Sequence, residues 1–184
     1  MTRRHWFPKP YADLVARLRV PGGFLLVAAF LWLSRPTASS LAYGLPVSVL
    51  GLWLRGWAAG HLAKNQRLTT SGPYAWIRNP LYVGTLLTAA GLVVASQRVS
   101  LAVLFGVFFL LVYLPAIELE EQYLRQLFAD FDEYAARVPM LLPRGRRLPG
   151  VERFDWRLYR HNREYQALAG FLAGAAALFW KALR

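Results

Sequence analysis

Apolar residues in this chain come in long blocks, and most of the cations sit between them. That arrangement limits the fold more than any single motif does. Of 184 residues, 56% are hydrophobic, and the mean hydropathy is +0.28. A helix rises 1.5 Å per residue, so about 20 apolar residues cross a bilayer core of about 30 Å. Residues 22–34 form a block that is short for this purpose and borrows its start from 14–20, before Arg35-Pro36 ends it. Residues 41–60 are a full-length second span, 81–96 a third and 100–117 a fourth. The link 97–99 is so short that the last two must form an antiparallel hairpin. Residues 166–180 give about 22 Å of helix, which is marginal for crossing. Gly170 and Gly174 have the spacing that lets helices pack closely.

The fold expected is all-α: an integral membrane helical bundle with four to five transmembrane helices plus interfacial amphipathic helices. We read 1–184 as a single domain. It comprises an interfacial arm (1–20), four spans (21–117), a cytoplasmic amphipathic helix with a basic loop (117–164) and a C-terminal apolar helix (165–181). Arg3 and Arg4 before an apolar run resemble a signal peptide. Later blocks are equally apolar, so we read this one as retained.

The net charge of +12 invites a nucleic-acid reading, but the positive-inside rule accounts better for where the charges lie. With the N-terminus cytoplasmic, Arg3, Arg4, Lys9, Arg17, Arg19, Lys64, Arg67, Arg78 and every arginine from Arg125 to Arg163 fall inside. Only Arg35, Arg98, Lys181 and Arg184 fall outside, and Arg55 lies within a span. A multi-pass membrane protein is expected, with its N-terminus and its active site on the cytoplasmic side and no nucleic-acid partner. The basic face would also hold anionic headgroups. There is no cysteine, which excludes disulfides and thiolate chemistry. The three histidines are scattered, so no metal centre is expected.

Residues 70–84 crowd glycine, proline, aromatic and cationic residues between two apolar blocks. Gly72-Pro73 reads as a turn. Asn79-Pro80 opens a helix, with Asn as the expected cap and Pro at the first position. Arg78 is thereby delivered to a helix mouth, a ready seat for a carboxylate or phosphate. Tyr82 lies just inside, and Gly84 admits a ligand or a second helix. Downstream, residues 117–138 read as one amphipathic helix with Leu124, Leu127, Phe128, Phe131, Tyr134 and Val138 at helical spacing. Glu120 and Glu121 flank that stripe. They face a ligand, or Glu121 simply pairs with Arg125 at i,i+4. Pro115 is expected to kink the fourth span. Arg55 either snorkels or points into a cavity. His61 is either a base or an interfacial residue.

Gly72-Pro73-Tyr74, Arg78-x-Pro80-x-Tyr82-x-Gly84 and Glu120-Glu121, in that order, resemble the isoprenylcysteine carboxyl methyltransferases and the related phospholipid methyltransferases. The resemblance covers residues 41–143, including 138–143 as the family's closing segment. It implies an integral-membrane enzyme that uses S-adenosylmethionine on a lipid or other lipophilic small molecule. It places the cofactor near Gly72, Pro73, Tyr74, Arg78, Asn79, Tyr82, Gly84, Glu120 and Glu121. Chemistry suggests Arg78 for the cofactor carboxylate, Glu120 or Glu121 for the ribose, and Tyr74 and Tyr82 for the adenine. The family's usual histidine is Asn79 here, and an amide does not titrate near neutrality. No catalytic base is evident beyond Glu118, Glu121 or His61. Two other readings stand beside this one: a membrane NADPH-dependent reductase of similar fold, and a non-enzymatic membrane module.

Overall fold

The computed structural model describes residues 7–143, 150 and 152–184. Arg3, Arg4 and Trp6 of the N-terminal arm and residues 144–147 of the basic loop lie outside these. All regular structure among the described residues is helical. The helices are α1 (Lys9–Leu33), α2 (Ala38–Ala59), α3 (Pro80–Ser96), α4 (Val99–Phe108), α5 (Leu114–Leu127), α6 (Phe131–Arg137), α7 (Trp156–His161) and α8 (Tyr165–Ala182). Residues 9–20, expected as a surface arm, are the first half of α1.

By length and composition, one helix among the described residues suffices to cross a membrane: Val99–Leu127, of 29 residues and mean hydropathy 2.4. Val20–Leu33 and Pro80–Ser96 are apolar but shorter. The outward residues of α1 are strongly exposed and apolar, with Phe24 at 73% and Trp32 at 86% exposure.

Small residues bring α2 and α3 together. Gly44, Ser48 and Gly51 on α2 meet Gly84, Thr88, Gly91 and Ala95 on α3. A Cβ at Gly91 would collide with the α2 backbone. Ser48 Oγ donates to Thr88 O and Ser40 Oγ to Ala95 O, both at 2.8 Å. This is the close-packing mode open to helices with little apolar contrast to their solvent. The spacing at Gly170 and Gly174 is not used this way, since a Cβ at either meets nothing within 4 Å.

Val99–Leu127 is continuous, but residues Phe109–Tyr113 widen into a π turn. The irregularity expected from Pro115 thus appears in the turn before it. Proline has no N–H to give the carbonyl four residues back, and Tyr11 Oη donates to that carbonyl, Leu111 O, at 2.6 Å.

Arg55, expected either to snorkel or to point into a cavity, is paired with Glu164 and lines the apolar cavity described below. Its Nε donates to Glu164 Oε1 at 2.5 Å and its Nη2 to Oε2 at 3.0 Å. Its Nη1 reaches Leu81 O at 3.3 Å and also bonds Thr85 Oγ1. The pair ties the start of α8 to α2 and α3. At its other end, Lys181 Nζ donates to Leu31 O at 2.8 Å and caps α1. α8 therefore runs the depth of the bundle, from the C-terminal end of α2 to that of α1.

Candidate functional site

The head of α3 is built on a turn that needs a glycine. Gly72 has φ +58°, where only glycine sits at no cost. The His61 ring lies against it, 2.7 Å from where a Cβ would stand. His61 is buried, has Nδ1 2.9 Å from Trp57 O and stacks edge-on to Trp57 and Phe154. It is a packing residue and does not line the pocket described below.

From the turn at Gly72–Ala75 the chain reaches Arg78 and Asn79, whose backbone N–H groups donate to Pro139 O at 2.9 Å and Met140 O at 3.2 Å. The Arg78 guanidinium then closes the arrangement. Nε and Nη2 donate to Glu121 Oε1 and Oε2 at 2.9 and 3.0 Å, and Nη1 donates to Ala135 O and Val138 O, both at 2.7 Å. Asn79 Nδ2 adds a third donor to Glu121, at 2.9 Å from Oε1. Glu121 keeps 8% of its side chain exposed and Arg78 13%. The pair's Coulomb gain and three further hydrogen-bond partners, Ala135 O, Val138 O and Asn79 Nδ2, offset the desolvation of two charges.

This geometry corrects several expectations. Asn79 precedes α3 without a side-chain cap, and its side chain is turned to Glu121, to which Nδ2 donates. Its backbone carbonyl instead accepts Tyr82 N and Val83 N at 3.1 Å. Arg78 is not a free cation at a helix mouth. Glu121 does not pair with Arg125, which bonds Asp132 at 2.9 Å. The helix expected over 117–138 breaks at Phe128, where extended backbone separates α5 from α6. The break lets α6 turn back, so that Tyr134 Oη donates to Tyr74 O at 2.7 Å.

A pocket of about 760 Å³ opens between the loop 62–69, the head of α3, and the inner faces of α5 and α6. Of the residues expected from sequence, Tyr74, Arg78, Asn79, Tyr82, Glu120 and Glu121 line it. Gly72, Pro73 and Gly84 do not. Gly72 makes the turn, Pro73 is buried within it, and Gly84 faces α2 rather than a ligand. Tyr82 Oη donates to Glu120 Oε2 at 2.9 Å. The loop contributes Lys64, Asn65 and Arg67, and α5 contributes Gln122 and Gln126, all missed by sequence reasoning. Asn65 has φ +59°, and Lys64-Asn65-Gln66 is a polar turn that only its composition could have flagged. Arg67 is paired with Glu152, whereas Lys64 makes no ion pair among the described residues.

Burial raises the Tyr74 hydroxyl well above the usual phenol range, and the charge of Glu120 pushes it the same way. Burial also raises Tyr134, against a partial opposing pull from Arg78. Both stay neutral at physiological pH.

A second cavity, about 770 Å³, lies among α1, α2, α3, α4 and α8. Its walls are mostly apolar, with Arg55, Thr85, Thr88 and Tyr113 among them. Tyr113, at the end of the π turn, meets Tyr82 edge-on with ring centroids 5.8 Å apart.

The pocket thus lies at one end of the close-packed pair α2 and α3. The pattern of the phospholipid methyltransferase family matches residues 22–130, and the chain belongs to that family. The match contains both the head of α3 and Glu120-Glu121. Among similar proteins, the cobalt-zinc-cadmium resistance protein CzcN of Cupriavidus metallidurans is 34% identical over 114 residues, 61% of this chain and 52% of that protein. The nickel-cobalt-cadmium resistance protein NccN of Alcaligenes xylosoxydans xylosoxydans is 32% identical over 114 residues, 61% of this chain and 53% of that protein. The protein-S-isoprenylcysteine O-methyltransferase of Schizosaccharomyces pombe is 27% identical over 141 residues, 73% of this chain and 59% of that protein. The chain thus spans little more than half the length of the relatives it matches. No solved structure matches it.

Proposed function

We propose that the chain is an S-adenosylmethionine-dependent methyltransferase acting on a lipophilic or membrane-embedded acceptor. The observation that carries this reading is the convergence of the head of α3 and Glu120-Glu121 of α5 on one pocket, inside the stretch that matches the family. The pocket's size and mixed lining suit a nucleoside with a charged tail. Bound there, S-adenosylmethionine supplies a methyl group on a sulfonium leaving group, so the protein mainly has to align the partners.

The residue roles follow from what is already engaged. Arg78, Asn79 and Glu121 form the rigid wall that fixes α5 against α3. Lys64 offers the donor carboxylate a cation. Asn65 and Gln126 offer amide oxygens to the ribose hydroxyls. Tyr74 and the neighbouring Leu62, Leu68 and Phe131 give the adenine an apolar bed.

The bundle of α1, α2, α3, the Val99–Leu127 helix and α8 is read as four to five membrane crossings, with the pocket on the cytoplasmic side by the distribution of cations. The two resistance proteins are named for metals, not for a reaction, and those names have no bearing on methyl transfer. The test is calorimetric titration of the detergent-purified protein with S-adenosylmethionine and S-adenosylhomocysteine. Binding of both is expected. No heat and no thermal stabilisation by either ligand, or stabilisation by NADPH instead, overturns the reading.

A further inference from the structure

Methyl transfer to any acceptor that carries its own proton needs a group to receive that proton. The groups that sequence offered for this task are either engaged or placed elsewhere. Glu121 is held by Arg78 and Asn79, His61 is packed against Gly72, and neither His61 nor Glu118 lines the pocket.

We propose that Tyr82 and Glu120 are the proton-accepting pair of the site, with Glu120 the group that takes the proton. The inference rests on the methyltransferase reading above. Tyr82 projects from the first turn of α3 and Glu120 from α5, and their 2.9 Å hydrogen bond joins the two across the pocket. The far side of Tyr82 meets Tyr113, which lines the apolar cavity. The pair therefore stands at the seam between the polar pocket and the apolar one. A lipophilic acceptor must place its reactive atom at such a seam, with its tail on the apolar side. Glu120 is exposed, so a proton taken from the acceptor has a path to water.

In the step itself, the acceptor's lone pair forms the bond to the methyl carbon and the methyl–sulfur bond breaks with its electrons going to sulfur. The acceptor's proton passes to the Glu120 carboxylate. Tyr82 holds that carboxylate in place and serves as a positioning residue. A carboxylate acceptor fits poorly here: it would stand beside Glu120, and Lys64 is the pocket cation left for the donor.

The experiment uses the full chain in detergent as wild type, Glu120→Gln and Tyr82→Phe. S-adenosylhomocysteine affinity is measured first, then affinity for dodecylamine and for dodecanoate without donor, then transfer of labelled methyl to dodecylamine. We expect product affinity to stay within about threefold in both variants, a difference of only ~0.6 kcal/mol. The wild type is expected to prefer dodecylamine to dodecanoate, and Glu120→Gln to lose that preference. Glu120→Gln is expected to lower kcat about 100-fold, the usual worth of a general base, with the donor KM unchanged. Tyr82→Phe is expected to have a smaller effect in the same direction.

A wild type that binds the product yet prefers dodecanoate, or methylates no amine, overturns the proposal. So does Glu120→Gln with an unaltered kcat, or with weakened product binding at unaltered kcat, which marks a donor-holding residue. If Glu120→Gln does not fold, the wild-type preference decides alone. A wild type that binds no product contradicts the methyltransferase reading itself.

Discussion

Two arginine–glutamate clamps hold this molecule, and they differ in what surrounds them. Arg55–Glu164 and Arg78–Glu121 are both two-pronged, and each glutamate side chain is 8% exposed. Arg55 joins α2 and α3 to α8, with Thr85 and Leu81 O as its other partners. Arg78 joins α3 to α5 and also holds two carbonyls at the end of α6, on the wall of the pocket. The first clamp positions a helix and the second shapes a site. The same pair of side chains thus serves assembly in one place and, on the proposed reading, ligand geometry in the other.

The largest effects should come from removing one partner of each clamp. Glu121→Ala and Glu164→Ala each strand a partly buried guanidinium, and each should cost about 3 kcal/mol in detergent unfolding titrations. Only Glu121→Ala should also abolish S-adenosylhomocysteine binding. Equal losses of binding in both variants would erase the distinction.

Replacing both partners with apolar residues sharpens the comparison. Arg55→Met with Glu164→Leu removes the charges together and should leave stability within ~1 kcal/mol of wild type. Arg78→Met with Glu121→Leu leaves Ala135 O, Val138 O and the Asn79 amide without their partners. It should cost about 2–3 kcal/mol and lose the ligand.

Gly91→Ala acts on the scaffold shared by both clamps. The new methyl group would force α2 from α3, for about 1–3 kcal/mol, with weaker ligand binding as a secondary consequence.

The smallest effect is a pH dependence. Tyr74 and Tyr134 bind their protons more tightly folded than unfolded. Their contribution to stability is complete below the unfolded phenol value of about 10 and declines as pH rises beyond it. Tyr74→Phe should flatten that alkaline decline in unfolding curves measured from pH 8 to 11.

The pocket's two halves were legible because each is a local signal: a Gly-Pro turn and an Asn-Pro helix start at 72–80, and an acidic pair at 120–121. The α-helical class was legible from apolar block lengths, and so was the short link between α3 and α4. Long-range pairing was not. Nothing near Arg55 in sequence points to Glu164, 109 residues on. The break at Phe128 was hidden because the apolar period continues across it, from Leu124 to Val138. Gly170 and Gly174 carry a packing spacing that goes unused, while Gly44, Gly51, Gly84 and Gly91, seven apart within each helix, make the tight contact. Which glycine faces a neighbour depends on helix rotation, which spacing alone does not set. Lys64 and Asn65 were missed because a polar turn carries no signature of what it covers.

The most direct test is a structure of the protein with S-adenosylhomocysteine bound. The product is expected in the pocket between the loop 62–69 and α5, against Tyr74 and beside Lys64, with the Arg78–Glu121 pair intact behind it. Product found in the apolar cavity or on an outer face, with that pocket empty, would contradict the account.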